Sequence, residues 1–163
     1  MEREPQAVML LRTEADTAQL AKILADIAQP GDAILLSGPL GAGKSVLARA
    51  FLRAFCAQST LEVPSPTYTL VQAYDAPVST VHHFDLWRLG SPDELDELGW
   101  DDACAGVVVV EWPERLEDMT PANALHVTLD VTPDGTRHAR LAGWSGRLPA
   151  HLAQQGLPPE HGA

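Results

Sequence analysis

The 163-residue chain reads as an α/β protein, one three-layer domain whose mixed central sheet is flanked by helices. Three features carry that reading. Apolar runs of strand length alternate with stretches whose apolar residues recur every three or four positions. A glycine-rich turn, GPLGAGKS at 38 to 45, joins one such run to the helix-like segment after it. Two further runs end on acids, Asp85 and Glu111, at the strand ends that border the ligand crevice in an open α/β sheet.

Taken in order, Ala7 to Leu11 is expected as a short strand. Thr13 with Asp16 has the pattern of an N-cap and an acidic third position, opening a helix that ends near Ala28, where Pro30-Gly31 stops it. Ala18, Ala21, Ile23, Leu24 and Ile27 supply its apolar face. Ala33 to Leu36 is apolar throughout, as a strand covered on both sides requires. Leu47, Ala50, Phe51, Ala54 and Phe55 form the packing stripe of a helix over Val46 to Phe55. Pro64-Ser65-Pro66 stiffens a connector, because each proline fixes its own φ and biases its predecessor towards extended backbone.

Thr67 to Tyr74 and Val78 to Phe84 are expected as paired strands joined through Asp75-Ala76-Pro77. Ser91-Pro92-Asp93-Glu94 combines an N-cap serine, a first-turn proline and acids, predicting a helix to about Leu98. Gly106 to Val110 reads as a buried strand. Leu125 to Val131 and Thr136 to Ala142, separated by Thr132-Pro133-Asp134-Gly135, read as a closing hairpin. The domain is placed at residues 1–150, with 151–163 as a frayed tail.

GPLGAGKS matches the phosphate-loop pattern G-x-x-x-x-G-K-[ST] in full and sits between strand and helix, so the domain is expected to be P-loop NTPase-like. Gly38, Gly41 and Gly43 let the backbone turn tightly and aim amide N–H groups inward, where the following helix N-terminus also favours anions. Lys44 adds a mobile charge for the outer phosphates, and the Ser45 hydroxyl a ligand for magnesium. The expected nucleotide-binding set is Gly38, Leu40, Gly41, Ala42, Gly43, Lys44, Ser45 and Val46, with Trp112 either covering the pocket or filling the core edge.

Asp85 and Glu111 both approach the metal, with Ser45, and the sequence leaves their division of labour open. Thr67 is placed as a γ-phosphate sensor or as a strand-edge threonine. His82 and His83 point to opposite faces of one strand and so cannot share an ion, while His83 shares a face with Asp85 and is a candidate partner for it. Arg88 is read as a phosphate contact or a surface ion pair. The acids at 93, 94, 96, 97, 101 and 102 are a solvated face or a docking surface.

Composition narrows the function. Eleven Lys plus Arg against twenty-two Asp plus Glu give a net charge of −11, which disfavours unaided binding to nucleic acid. Cys56 and Cys104 lack metal-ligand spacing and are expected to be reduced and structural. No secretory pattern occurs at the N-terminus, and the longest strongly apolar run, Val107 to Val110, is too short for a bilayer, so a cytoplasmic, non-membrane location is expected.

Four blocks together resemble a known family: GPLGAGKS at 38 to 45, SPTYTLVQAY at 65 to 74, HFDLWRL at 83 to 89 and EWPERL at 111 to 116. In order and spacing they are similar to the small bacterial ATPases called TsaE (also YjeE), which take part in making threonylcarbamoyladenosine (t6A) in transfer RNA. The family usually has Asp where this chain has Pro39, often Thr at Ser45, and commonly Tyr at Trp87. Ser for Thr keeps the hydroxyl, whereas Pro39 removes one amide donor. The resemblance implies ATP binding with Mg2+, slow hydrolysis and assembly with TsaB-like and TsaD-like partners that carry most of the tRNA contact. TsaD then transfers the threonylcarbamoyl group, and the ATPase drives or resets the complex between turnovers. By the same resemblance Lys44 and Ser45 hold phosphate and metal, Thr67 and Asp85 belong to the switch and metal shell, and Glu111 with Trp112 completes the catalytic site. A small-molecule kinase is the weaker alternative, since few basic residues follow the loop; an ATP-binding scaffold without significant hydrolysis is the other. The absence of Asn-Lys-x-Asp disfavours a GTPase.

Overall fold

The expected apolar runs assemble into one seven-stranded mixed sheet in a computed structural model that describes residues 7–144 and 147–148. The segment expected to fray, 151–163, lies outside the described residues. In chain order the main elements are β1 (Ala7–Leu11), α1 (Glu14–Ile27), β2 (Ala33–Ser37), α2 (Lys44–Phe55), β3 (Val71–Asp75) and β4 (Thr80–Asp85). They continue with α3 (Glu94–Glu97), α4 (Trp100–Ala103), β5 (Val107–Glu111), a 3-10 turn (Pro113–Met119), β6 (Leu125–Val131) and β7 (Arg137–Ala142).

The strand order is β1-β7-β6-β2-β5-β4-β3. Strands β4, β5, β2 and β6 run parallel, while β1 and β7 on one side and β3 on the other are antiparallel to their neighbours. The carboxyl ends of β2, β4 and β5 therefore lie together. Asp85 stands in register with Glu111, and Glu111 with Leu36 of β2.

Alternation along the parallel strands splits the core into two layers. Ile34, Leu36, Val107 and Val109 pack with Leu20, Leu24, Leu47 and Phe51 of α1 and α2. Ala33, Leu35, Val108 and Val110 pack instead with Phe84, Leu95, Trp100 and Leu116 beneath α3, α4 and the 3-10 turn. The apolar run Ala33 to Leu36 of β2 is thus covered on both faces. The Phe51 and Phe55 rings stack at 5.4 Å, fixing α2 behind the glycine loop. At the start of α1 the Thr13 hydroxyl accepts from the Asp16 N–H and the Asp16 carboxylate accepts from the Thr13 N–H, both at 3.2 Å, as the capping pattern requires.

Four local expectations change. β3 starts at Val71 rather than Thr67, because the Leu70 N–H closes a turn onto the Pro66 carbonyl at 2.7 Å with Leu70 at φ +69°. β4 starts at Thr80 rather than Val78, since the Ala76 N–H bonds the Ser79 carbonyl in the intervening turn. The helix expected from Ser91 to Leu98 is a turn followed by the short α3, and Gly99 at φ +76° separates it from α4, which was not expected. The 3-10 turn after β5 was not expected either.

Candidate functional site

The glycine loop connects the carboxyl end of β2 to the first turn of α2, whose N-terminus carries no acid to compete with a bound anion. Gly41 and Gly43 have φ of +82° and +104°, backbone that a side chain would strain. Gly38, also in the left-handed half at φ +141°, faces β6, where an added Cβ would collide with the Leu129 carbonyl oxygen. This packing holds the loop against the sheet.

Lys44 opens α2 and is only 5% exposed. Its ammonium donates to the Gly38 carbonyl at 2.6 Å and lies 3.4 Å from the centre of the Trp112 ring. Burial lowers the Lys44 pKa from its ordinary value, while Glu111, Glu114 and Asp85 raise it, in that order of weight. Trp112 reaches this position because it leaves β5 at φ +59°, which turns the chain into the 3-10 segment. Its ring also meets Trp87 at 4.5 Å and packs against the layer beneath α3 and α4, so it both walls the site and fills the core edge.

The two strand-end acids are buried and have different partners. Glu111 accepts the Ser45 hydroxyl on Oε1 at 2.9 Å and meets His83 Nε2 through Oε2 at 2.7 Å. Asp85 accepts the Thr67 hydroxyl at 3.4 Å on one oxygen and the Trp87 N–H at 3.1 Å on the other. His83 and Asp85 share a face of β4, which makes a bond between them the expectation from sequence. The His83 bond instead crosses to the parallel neighbour, since register brings Glu111 onto the same face. His82 points the other way and stacks on Phe84 at 6.3 Å.

A cavity of about 400 Å3 opens over these groups. Leu40, Gly41, Gly43, Lys44, Ser45 and Val46 line its loop side, and Thr67, Asp85, Glu111 and Trp112 its strand side. Two members of the expected set stand behind the wall: Ala42 is wholly buried and Gly38 supports the loop from the β6 side. Arg88 takes neither expected role and stacks over the Tyr68 ring at 4.5 Å. Of the acidic run, all but Glu94 are exposed; Glu94 accepts the Gly90 N–H at 3.2 Å.

Ser65 and Arg137 also line the cavity and were not foreseen as site residues. Ser65 sits within the SPTYTL block, and its hydroxyl contacts that of Thr67 at 2.7 Å. Arg137 opens β7, and nothing near it in sequence marks it; only the antiparallel return from β6 brings it to the loop.

The donor set suits a magnesium-bound triphosphate. Among the described residues no group of three or more His, Cys, Asp or Glu is arranged to hold a metal ion by itself. Magnesium does not need one, because it keeps waters and phosphate oxygens and takes one or two protein ligands. A hydroxyl and a carboxylate in contact, Ser45 and Glu111, beside a buried ammonium match that requirement. Among the described residues, no helix is long and apolar enough to cross a membrane.

Comparison with known proteins gives the family and the fold. The family profile described as "Threonylcarbamoyl adenosine biosynthesis protein TsaE" matches residues 11–139. Two similar proteins carry the name tRNA threonylcarbamoyladenosine biosynthesis protein TsaE. The one from Rickettsia felis is 37% identical over 131 residues, 80% of this chain and 76% of its own. That from Bacillus subtilis is 34% identical over 124 residues, 75% of this chain and 76% of its own. The crystal structure of Bacillus subtilis YdiB superimposes with a TM-score of 0.72 at 24% identity, covering 91% of this chain and 93% of that one, which supports the fold. With a profile match from the end of β1 into β7 and relatives above one-third identity over most of the sequence, the chain belongs to the TsaE family.

Proposed function

We propose that the chain binds Mg·ATP in this cavity and hydrolyses it slowly, serving tRNA threonylcarbamoyladenosine formation together with TsaB-like and TsaD-like partners. The observation that carries the reading is the buried Lys44 ammonium between the glycine loop and the Ser45–Glu111 and Thr67–Asp85 pairs. The pathway assignment comes from the family, whose described role is threonylcarbamoyladenosine biosynthesis.

In this reading the loop amides and Lys44 grip the phosphates, and Ser45 with Glu111 forms the protein side of the metal site. Magnesium, when bound, supplies charge neutralisation on the phosphoryl oxygens. His83 fixes the Glu111 carboxylate from behind. Asp85 and Thr67, hydrogen-bonded to each other and not to Ser45, orient the attacking water. Trp112 and Trp87 exclude bulk solvent from the Lys44 side, which strengthens the electrostatics of the pocket. A kinase would need further cations around an acceptor; Arg88 and Arg115 instead lie over the Tyr68 and Trp87 rings.

Calorimetry with Mg·ATP and steady-state hydrolysis, with and without the partners, test this. Lys44→Ala is expected to abolish measurable binding. Glu111→Gln and Asp85→Asn are each expected to retain nucleotide and to lose about 100-fold or more in turnover. Only the Glu111 variant should need more magnesium. Unchanged hydrolysis in the Glu111 variant removes its assigned role, a phosphorylated small molecule as product replaces the ATPase by a kinase, and wild-type protein that never saturates with Mg·ATP sinks the whole reading.

A further inference from the structure

We infer that Arg137 is a second phosphate-holding cation of this site, gripping the polyphosphate of a nucleotide from the β7 side of the glycine loop. The inference rests on the nucleotide reading above and adds a residue that neither the loop pattern nor the four family blocks contain. Its geometry follows from topology. β6 runs parallel to β2 and extends past its carboxyl end, and β7 returns antiparallel, so the first residue of β7, paired with Val131, stands across β6 from β2 and beyond the level of Ser37, at the end of the sheet where the loop begins.

The side chain lies directly on the loop. A Cβ at Gly43 would come within 3.1 Å of Arg137 Cδ and Nε, so the glycine leaves room for the arginine as well as for the turn. Nη2 makes only a long contact, 3.5 Å, with the Gly41 carbonyl. Nε is buried and has no hydrogen-bond partner. A buried guanidinium donor without an acceptor is costly, and a phosphate oxygen in the cavity that Arg137 lines is the acceptor that relieves it.

Charge balance supports the same assignment. Lys44 is the one loop cation, and it already feels three carboxylates, Glu111, Glu114 and Asp85. A polyphosphate brings further negative charge that a single ammonium balances poorly. Arg88 and Arg115 are turned to aromatic rings, which leaves Arg137 as the arginine in the cavity wall among the described residues. Its contacts are with the loop at Gly41 and Gly43, away from the Ser45–Glu111 pair, so it should hold ground-state phosphate in ATP and ADP alike.

Titration of the full chain with Mg·ATP, Mg·ADP and inorganic tripolyphosphate, comparing wild type with Arg137→Ala, Arg137→Gln and Arg137→Lys, tests this. The alanine and glutamine variants are expected to bind all three ligands roughly 10- to 100-fold more weakly. Lysine should restore only part, because a point charge lacks the guanidinium fork. Thermal stability should hold, since the buried Nε makes no bond to lose; glutamine keeps the test open if alanine folds poorly. Wild-type saturation with unaltered affinity in the glutamine variant overturns this inference and leaves the nucleotide reading standing. A loss confined to ATP and ADP, with tripolyphosphate unaffected, also overturns it by moving the guanidinium to sugar or base. Wild type that binds none of the three overturns the nucleotide reading itself, and this inference with it.

Discussion

Burial penalises the charged form of a side chain whatever its sign, and Lys44 and Cys104 show the two directions. The Lys44 ammonium is pushed down, while the Cys104 thiol is pushed up to about 11 by burial and, secondarily, by Asp101. Cys56 moves upward for the same first reason, and the two cysteines are not joined to each other. At pH 8 a shift from 9.0 to about 11 lowers the thiolate fraction of Cys104 by about 100-fold. Reaction with a chromogenic disulfide reagent is therefore expected to be at least that much slower in the native chain than after denaturation, and to accelerate about tenfold per pH unit up to about 11. The folded state favours the protonated thiol, so this contribution to stability is whole below pH 9.0 and is lost as pH rises through about 11. Fast native labelling of Cys104 at pH 8 would refute the burial argument. Chemistry of this kind is partly legible before folding: a strand ending in Glu111 or Asp85 announces an acid at the crevice. The His83 bond to Glu111 is not, because it depends on which strand lies next to β4.

Length decides which elements the sequence reveals. α1 and α2, at 14 and 12 residues, repeat their apolar stripe several times, and the central strands β2 and β5 carry the continuous apolar runs Ala33 to Leu36 and Val107 to Val110. α3 and α4 have four residues each, too few for any period, and α4 was missed for that reason. Thr67-Tyr68-Thr69 has strong strand propensity, yet tertiary context overrides it: the Thr67 hydroxyl is drawn to Asp85 and the Leu70 turn delays pairing until Val71. The break between α3 and α4 rests on Gly99 at φ +76°, where an added Cβ would meet nothing within 4 Å. Gly99→Ala therefore isolates the backbone term, expected at about 1 kcal/mol and a melting temperature lower by roughly 2–4 °C. Nucleotide affinity should not move, since α3 and α4 cover the opposite face of the sheet from α2. An unchanged melting temperature would mean that this segment takes up the alanine by shifting its backbone.

The charge of the chain as a whole sets how it would meet RNA. Eleven basic residues face twenty-two acids, and most of the basic side chains with defined contacts are already engaged. Lys44 and Arg137 line the cavity, Arg140 pairs with Asp130 at 3.3 Å, and Arg147 with Asp32 at 2.8 Å. Arg88 and Arg115 lie over aromatic rings, and Arg53 donates to the Leu61 carbonyl at 2.9 Å. Asp93, Asp96, Glu97, Asp101 and Asp102, on and beside α3 and α4, are all exposed. Affinity for a phosphate backbone comes largely from neutralising several phosphates at once and releasing their counterions. A surface with few uncommitted cations and a net charge of −11 cannot supply that term. The chain alone is therefore expected to leave tRNA unshifted in electrophoresis at about 0.15 M salt, and to gain little when salt is lowered, because repulsion grows with screening length. In the proposed assembly with TsaB-like and TsaD-like partners, any retained tRNA should then show a salt dependence set by those partners. That dependence should not change when Arg12, Lys22 or Arg49 of this chain is replaced by alanine. Tight, strongly salt-dependent binding of tRNA by the isolated chain would contradict the argument and give this protein a direct part in holding the substrate.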